Sequence, residues 1–195
     1  MLKEKYGNPS SLHQKGIEAE KEMTQVREAI ARVLSVDKSE IYFTSGGTEA
    51  NNLAVFGTVR ARRRTGNKIV TTAVEHASVL EAVAALEKEG FEAVYLRPER
   101  DGSITPQQLM EAIDSRTVLV SSMLANNETG ALYPVEAART AMVHHSSPAL
   151  LHCDAVQAFG KIPVKTRRMG VDLLTVSAHK IHGPKGPGAI YIKHG

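Results

Sequence analysis

Asp172-Leu173-Leu174-Thr175-Val176-Ser177-Ala178-His179-Lys180-Ile181-His182-Gly183-Pro184-Lys185-Gly186-Pro187-Gly188 falls into two halves of opposite character. The first is a short apolar, β-branched run that reads as a buried strand. The second is rich in glycine and proline and predicts an irregular turn. Lys180 therefore stands at the mouth of a strand, between a hydroxyl residue and imidazoles. Desolvation and neighbouring charge at such a place favour the free, nucleophilic amine, which is the starting point of Schiff-base chemistry. A solvated loop lysine is the plainer alternative, and the rest of the chain decides between them.

Working outward, six more segments read as strands: residues 41–44, 68–74, 91–96, 118–124, 149–153 and 189–192, with residues 171–176 as the seventh. Helical segments alternate with them. Gly7 to Ser11 forms a loop in which Ser10 or Ser11 caps the first helix, and Ile17, Met23, Val26, Ile30 and Val33 mark that helix's buried face. Residues 48–55, 79–89 and 135–145 are helical, and Thr105-Pro106 opens another helix with proline in its first turn. This alternation predicts an α/β fold: a three-layer, doubly wound, mainly parallel seven-stranded sheet, with residues 1–195 as one domain.

In such sheets ligands bind beyond the carboxyl ends of the strands. The polar groups expected there are Ser45-Gly46-Gly47-Thr48, His76, Asn127, Asp154 with Gln157, and Ser177 with His179 and Lys180. Ser45-Gly46-Gly47 followed by a helix start makes an anion cradle, because open backbone N–H groups and the positive dipole end point at one spot. A phosphate cradle, an imidazole to stack, an acid for a ring nitrogen, donors for a phenolate and an amine for an aldehyde together describe a site for pyridoxal 5′-phosphate. Neither a Walker loop nor a complete G-x-G-x-x-G is present, which weakens a nucleotide reading.

Composition narrows the other classes. Hydrophobic residues make up 42% and charged residues 23%, as in globular proteins, and no apolar run approaches the roughly 20 residues that span a bilayer. Met1 to Tyr6 lacks a signal-peptide core, so a cytoplasmic address and no membrane partner are expected. A net charge of +3 gives no argument for nucleic acid, and Arg60, Arg62, Arg63 and Arg64 read as a solvated helix end. Cys153 is the single cysteine and excludes an internal disulfide framework. His152, Cys153, His179 and His182 lack the spacing of a zinc set, so no metal is expected.

The motifs also resemble a known family, the class V, fold-type I pyridoxal-phosphate enzymes, and within it the NifS-like cysteine desulfurases. The resemblance rests on Gly-Asn-Pro-Ser-Ser-x-His at 7–13, Thr-Ser-Gly-Gly-Thr-Glu-Ala-Asn-Asn at 44–52 and Glu-His-Ala-Ser-Val at 75–79. It continues through Asn-Asn-Glu-Thr-Gly at 126–130, Asp-Ala-Val-Gln at 154–157 and Ser-Ala-His-Lys-Ile-His-Gly-Pro-Lys-Gly at 177–186. These span nearly the whole chain in the family's order.

The resemblance implies the following roles. Lys180 holds the cofactor covalently and moves the substrate Cα proton, and His76 stacks on the ring and takes part in proton transfer. Asp154 pairs with the ring nitrogen, Gln157 bonds the phenolic oxygen, and Asn127 lies near that oxygen and the substrate carboxylate. Gly47, Thr48, Ser177 and His179 bind phosphate. The implied reaction converts L-cysteine to L-alanine, with the sulfur passing as a persulfide to an acceptor protein for sulfur metabolism and iron–sulfur cluster assembly. A homodimer is expected. Selenocysteine lyase or another class V aminotransferase-like activity is the near alternative, and a non-catalytic binding or scaffold fragment the distant one. The family's leading strand and its smaller C-terminal domain, with the nucleophilic cysteine, the carboxylate-clamping arginine and a threonine lent to the partner, have no counterpart here. The chain is therefore expected to be a large-domain fragment of low or no activity. Cys153, inside the strand that delivers Asp154, cannot replace the missing nucleophile.

Overall fold

The computed structural model describes residues 6–194. Seven strands form one sheet: β1 (Ile41–Thr44), β2 (Lys68–Thr72), β3 (Glu92–Leu96), β4 (Thr117–Met123), β5 (Leu150–Asp154), β6 (Leu173–Ser177) and β7 (Gly188–Ile192). Their order is β1-β7-β6-β5-β4-β2-β3. Pairs among β2 to β6 are parallel, and β7 runs antiparallel to both of its neighbours. The expected doubly wound, mainly parallel seven-stranded sheet is what the chain forms.

Among the described residues five α-helices cover the two faces: α1 (Gln14–Leu34), α2 (Gly47–Arg62), α3 (Ala77–Lys88), α4 (Pro106–Ala112) and α5 (Val135–His144). Strand alternation sends Ile69 and Leu119 toward α2 and α3, where they pack with Val55, Val59, Val83 and Leu86. Val70, Val120, Leu151 and Cys153 go to the other face with Leu109, Ala138 and Met142 of α4 and α5, and with Ala31 and Leu34 of α1. Every residue of β4 is buried, as expected of a central parallel strand covered on both sides. Thr105 caps α4 in a capping box with Gln108, with Pro106 just inside the helix.

Two expectations fail at α1. Its cap is His13, whose Nδ1 accepts from the Gly16 N–H at 3.2 Å. Asn8 engages Ser10 and Ser11 in a tight turn, so the helix starts later. The buried residues of α1 are Gly16, Ala19, Ala31 and Leu34, whereas Ile17, Met23, Val26 and Val33 are exposed and only Ile30 of the expected set packs on the core. Small residues allow close approach of α1 to the domain, and an apolar periodicity does not itself say what covers it.

The antiparallel β7 starts where β1 and β6 end, with Gly188 opposite both Thr44 and Ser177. A Cβ on Gly188 would lie 2.7 Å from the Gly46 backbone and 2.9 Å from Thr44 Oγ1. Gly188→Ala therefore has to push β7 away from the turn after β1. It is expected to destabilise the chain by about 1–3 kcal/mol, read by denaturant unfolding; an unchanged midpoint would count against this close packing.

Candidate functional site

Beyond the carboxyl ends of β1, β2, β4, β5 and β6 lies a cavity of about 380 Å³, within the range of roughly 300–1,000 Å³ common for small-molecule sites. Gly47, Thr48, His76, Asn127, Asp154, Gln157, Ser177, His179 and Lys180 all line it, whereas Ser45 and Gly46 line the adjoining cleft. Asn51, Ser78, Met123, Ala125, Glu128 and Val156 complete the wall.

One side of the cavity is the start of α2. Gly46 has φ 147°, a value that favours glycine, and no side chain caps the helix. Thr48, Glu49, His179 and Lys185 line the adjoining cleft at this helix start, where the helix dipole is positive and the Glu49 carboxylate accepts from the Ser45 N–H at 2.6 Å. On the β6 side, Ser177 Oγ and His179 Nδ1 lie 2.9 Å apart.

Asp154 ends β5 and is 5% exposed. Its Oδ1 accepts from the Val156 N–H at 2.9 Å and its Oδ2 from Asn51 Nδ2 at 2.7 Å. Burial pushes the carboxyl above its ordinary range, against the opposing pull of those two donors and of His76. No lysine or arginine among the described residues pairs with it. A buried carboxylate on a cavity wall without a cation is suited to a cationic ligand atom.

His76 is the N-cap of α3: its Nδ1 accepts from the Ser78 N–H at 3.1 Å and lies 2.8 Å from Ser78 Oγ. A backbone N–H only donates, so Nδ1 is an acceptor and the neutral ring carries its hydrogen on Nε2. Capping and lining the cavity are thus compatible roles.

Lys180 sits on a 3₁₀ turn (Ala178–Ile181) straight after β6. It is exposed and makes no hydrogen bond or ion pair among the described residues. The desolvation expected at this strand mouth is not supplied by the described residues, because the 3₁₀ turn leaves Lys180 exposed. Gln157 accepts from Lys161 Nζ at 2.9 Å, and Asn127 donates to Glu128 Oε1 at 2.7 Å. Asn126, beside it, is structural: its Oδ1 accepts from the Glu128 and Thr129 N–H groups and its Nδ2 donates to Val74 O.

His152 and Cys153 are fully buried. His152 spans Ser121 Oγ and Thr175 Oγ1, and burial lowers its pKa to about 3. Cys153 packs on the face opposite that row, and its thiol is pushed well up by burial and by Asp154 and Glu75.

The sequence reading overlooked Asn51, Ser78 and Glu75. Asn51 follows Gly47 by one helical turn, which places a polar residue on the sheet-facing side of α2, and that spacing was the available signal. Glu75 is 5% exposed; its Oε1 accepts from Thr72 Oγ1 at 2.6 Å and from the Met123 N–H at 2.9 Å, while Oε2 has no partner among the described residues. Burial raises Glu75 from 4.5 to about 8, with Asp154 adding to the shift. The native state therefore binds this proton more tightly than the unfolded chain, and the associated stability, full below pH 4.5, is lost as pH rises through about 8. The loss is expected to be on the order of 5 kcal/mol. Glu75→Gln, which mimics the protonated form, should flatten this slope in urea unfolding between acid and alkaline pH. An unaltered slope would assign it to another group.

Comparison with known proteins gives a consistent picture. The family description "Aminotransferase class-V" matches residues 1–195. A cysteine desulfurase IscS of Dictyoglomus turgidum is 46% identical over 194 residues, covering 100% of this chain and 49% of the relative. Among solved structures, a NifS-like protein superposes with TM-score 0.95 at 42% identity, covering 100% of this chain and 53% of the other. The structure titled "SspA in complex with cysteine" gives TM-score 0.91 at 38% identity, covering 96% of this chain and 54% of the other. The chain spans about half the length of the curated relatives it matches. No helix among the described residues is long and apolar enough to cross a membrane.

Proposed function

Since the chain belongs to the class-V aminotransferase family, we propose that it is the cofactor-binding large domain of a pyridoxal-phosphate-dependent cysteine desulfurase, acting on L-cysteine. The observation that carries this reading is the juxtaposition of Asp154, buried and without a cation, with the unpaired amine Lys180 across one cavity that adjoins the open start of α2. The residues present fit the cofactor: an anion cradle at Gly47 and Thr48, an acid for a pyridinium nitrogen, and an amine for an aldehyde. When bound, the cofactor supplies an electron sink for the carbanion left by removal of the substrate Cα proton.

The chain's own groups do the rest. Gly47, Thr48, Ser177 and His179 hold the phosphate end. Asp154 keeps a proton on the ring nitrogen through a charge-assisted hydrogen bond. His76 would stack on the ring with Nε2–H available, and Gln157 and Asn127 would hold the phenolic oxygen. Asn127 also faces the substrate carboxylate. Lys180 Nζ, a primary amine on the cavity wall, would move the substrate Cα proton. The sulfur-accepting thiolate is not Cys153, which is fully buried with its thiol held protonated. The complete protein's sulfur acceptor, its homodimer, its cytoplasmic location and the second, smaller domain belong to the same proposal.

The relative solved in complex with cysteine supports a cysteine substrate. The test is to load the chain with pyridoxal phosphate, add L-cysteine or L-alanine, and follow the absorption spectrum. Spectral change with both amino acids, and hydrogen exchange at the alanine Cα, are expected. A chain that takes up no pyridoxal phosphate would overturn the reading.

A further inference from the structure

Asn51 is 1% exposed, and its Oδ1 is buried with no hydrogen-bond partner among the described residues. An orphaned amide oxygen is unfavourable, and a leucine of similar volume would avoid it. The compensation is in the two N–H hydrogens. One goes to Asp154 Oδ2 at 2.7 Å and the other to Ser78 Oγ at 2.9 Å. With its oxygen accepting from Asn51, Ser78 has one hydrogen left, and His76 Nδ1 is 2.8 Å away to receive it.

We propose that Asn51 is a positioning residue that sets the Asp154 carboxylate and the Ser78–His76 pair in one frame before any ligand arrives. The assignment of Asp154 to a ring nitrogen and of His76 to a ring face rests on the function proposed above. The linkage itself does not. A single amide on α2 ties the end of β5 to the start of α3, and the directions are fixed: donor to Asp154, donor to Ser78, then donor to His76. Turning the amide over would set Oδ1 against the carboxylate, so the ionised form of Asp154 and this arrangement support each other. Preorganisation of this kind places a binding group without reordering on binding.

The charged and titratable groups around Asp154 come from every neighbouring element: Glu75 after β2, His76 at α3, Glu128 after β4, Cys153 on its own strand, and His179 and Lys180 after β6. Asp154 is therefore observed directly, through its carboxyl carbon by NMR in the cofactor-free chain. In Asn51→Leu its titration midpoint should rise by about one unit, and affinity for pyridoxal phosphate should fall about tenfold at neutral pH. The conservative Asn51→Gln should restore part of both. A merely structural Asn51 gives the reverse pattern, a lower melting temperature with an unmoved Asp154 midpoint, and overturns the proposal. Should Asn51→Leu not fold, the wild-type chain decides. Both Nδ2 hydrogens should be protected from solvent exchange and should track the Asp154 titration with one midpoint. Rapid exchange or independence from that titration overturns the proposal. A wild-type chain that binds no pyridoxal phosphate removes the functional reading, while the midpoint and exchange measurements still judge the linkage.

Discussion

Lys180→Ala is expected to abolish covalent capture of pyridoxal phosphate: no band characteristic of a lysine adduct, and no label fixed by borohydride. The expectation follows from the placement of Lys180 on the turn after β6, lining the same cavity as Asp154 and with no competing partner. A lysine amine already engaged in an ion pair would have to break it first. Reversible binding through the α2 amides and Asp154 should persist, so equilibrium dialysis separates lost linkage from lost folding. Peptide mapping of the reduced wild-type adduct gives the decisive result. Label on Lys185, which lines the adjoining cleft, or on Lys161, which is held by Gln157, would remove Lys180 from its role.

Asp154→Asn is expected to weaken pyridoxal phosphate binding by about 10- to 150-fold. A charge-assisted hydrogen bond is worth roughly 1.5–3 kcal/mol, and each 1.4 kcal/mol is a factor of ten. Folding should suffer less, because the substitution also removes a buried charge that raises Glu75. The wild type carries a matching pH dependence. Burial raises Asp154, so affinity should fall on acidification at a higher pH than for a solvated aspartate, as the carboxylate takes up a proton and its charge-assisted bond is lost. A variant that binds within threefold of the wild type, with the same acid limb, would show that another group meets the ring nitrogen.

The sheet was legible because strands covered on both faces read as unbroken apolar runs; β4 is the clearest case, buried along its whole length. The site was legible because polar residues abruptly follow those runs, as Asp154 follows Cys153 and His76 follows the end of β2. Asn51 and Glu75 were not. A helical asparagine declares itself only when the carboxylate it meets, distant in sequence, is known, and a glutamate beside a histidine looks like a solvated turn until Met123 N–H is found on it. The α1 face failed for a related reason. Periodicity finds an apolar stripe, but Ile17, Met23, Val26 and Val33 lie exposed while the small residues pack.

The register that joins Ile41 to Tyr191 has a consequence for how the chain is made. Among the described strands β1 comes first in sequence, yet its one sheet neighbour there, β7, comes last. At elongation rates of about 5–20 residues per second, β1 waits on the order of ten seconds for β7. Closing so long a loop also raises the contact order and slows the final step of folding. During that interval β2 to β6 can pair in sequence-local fashion, while β1 presents an unsatisfied edge to chaperones or to other nascent chains.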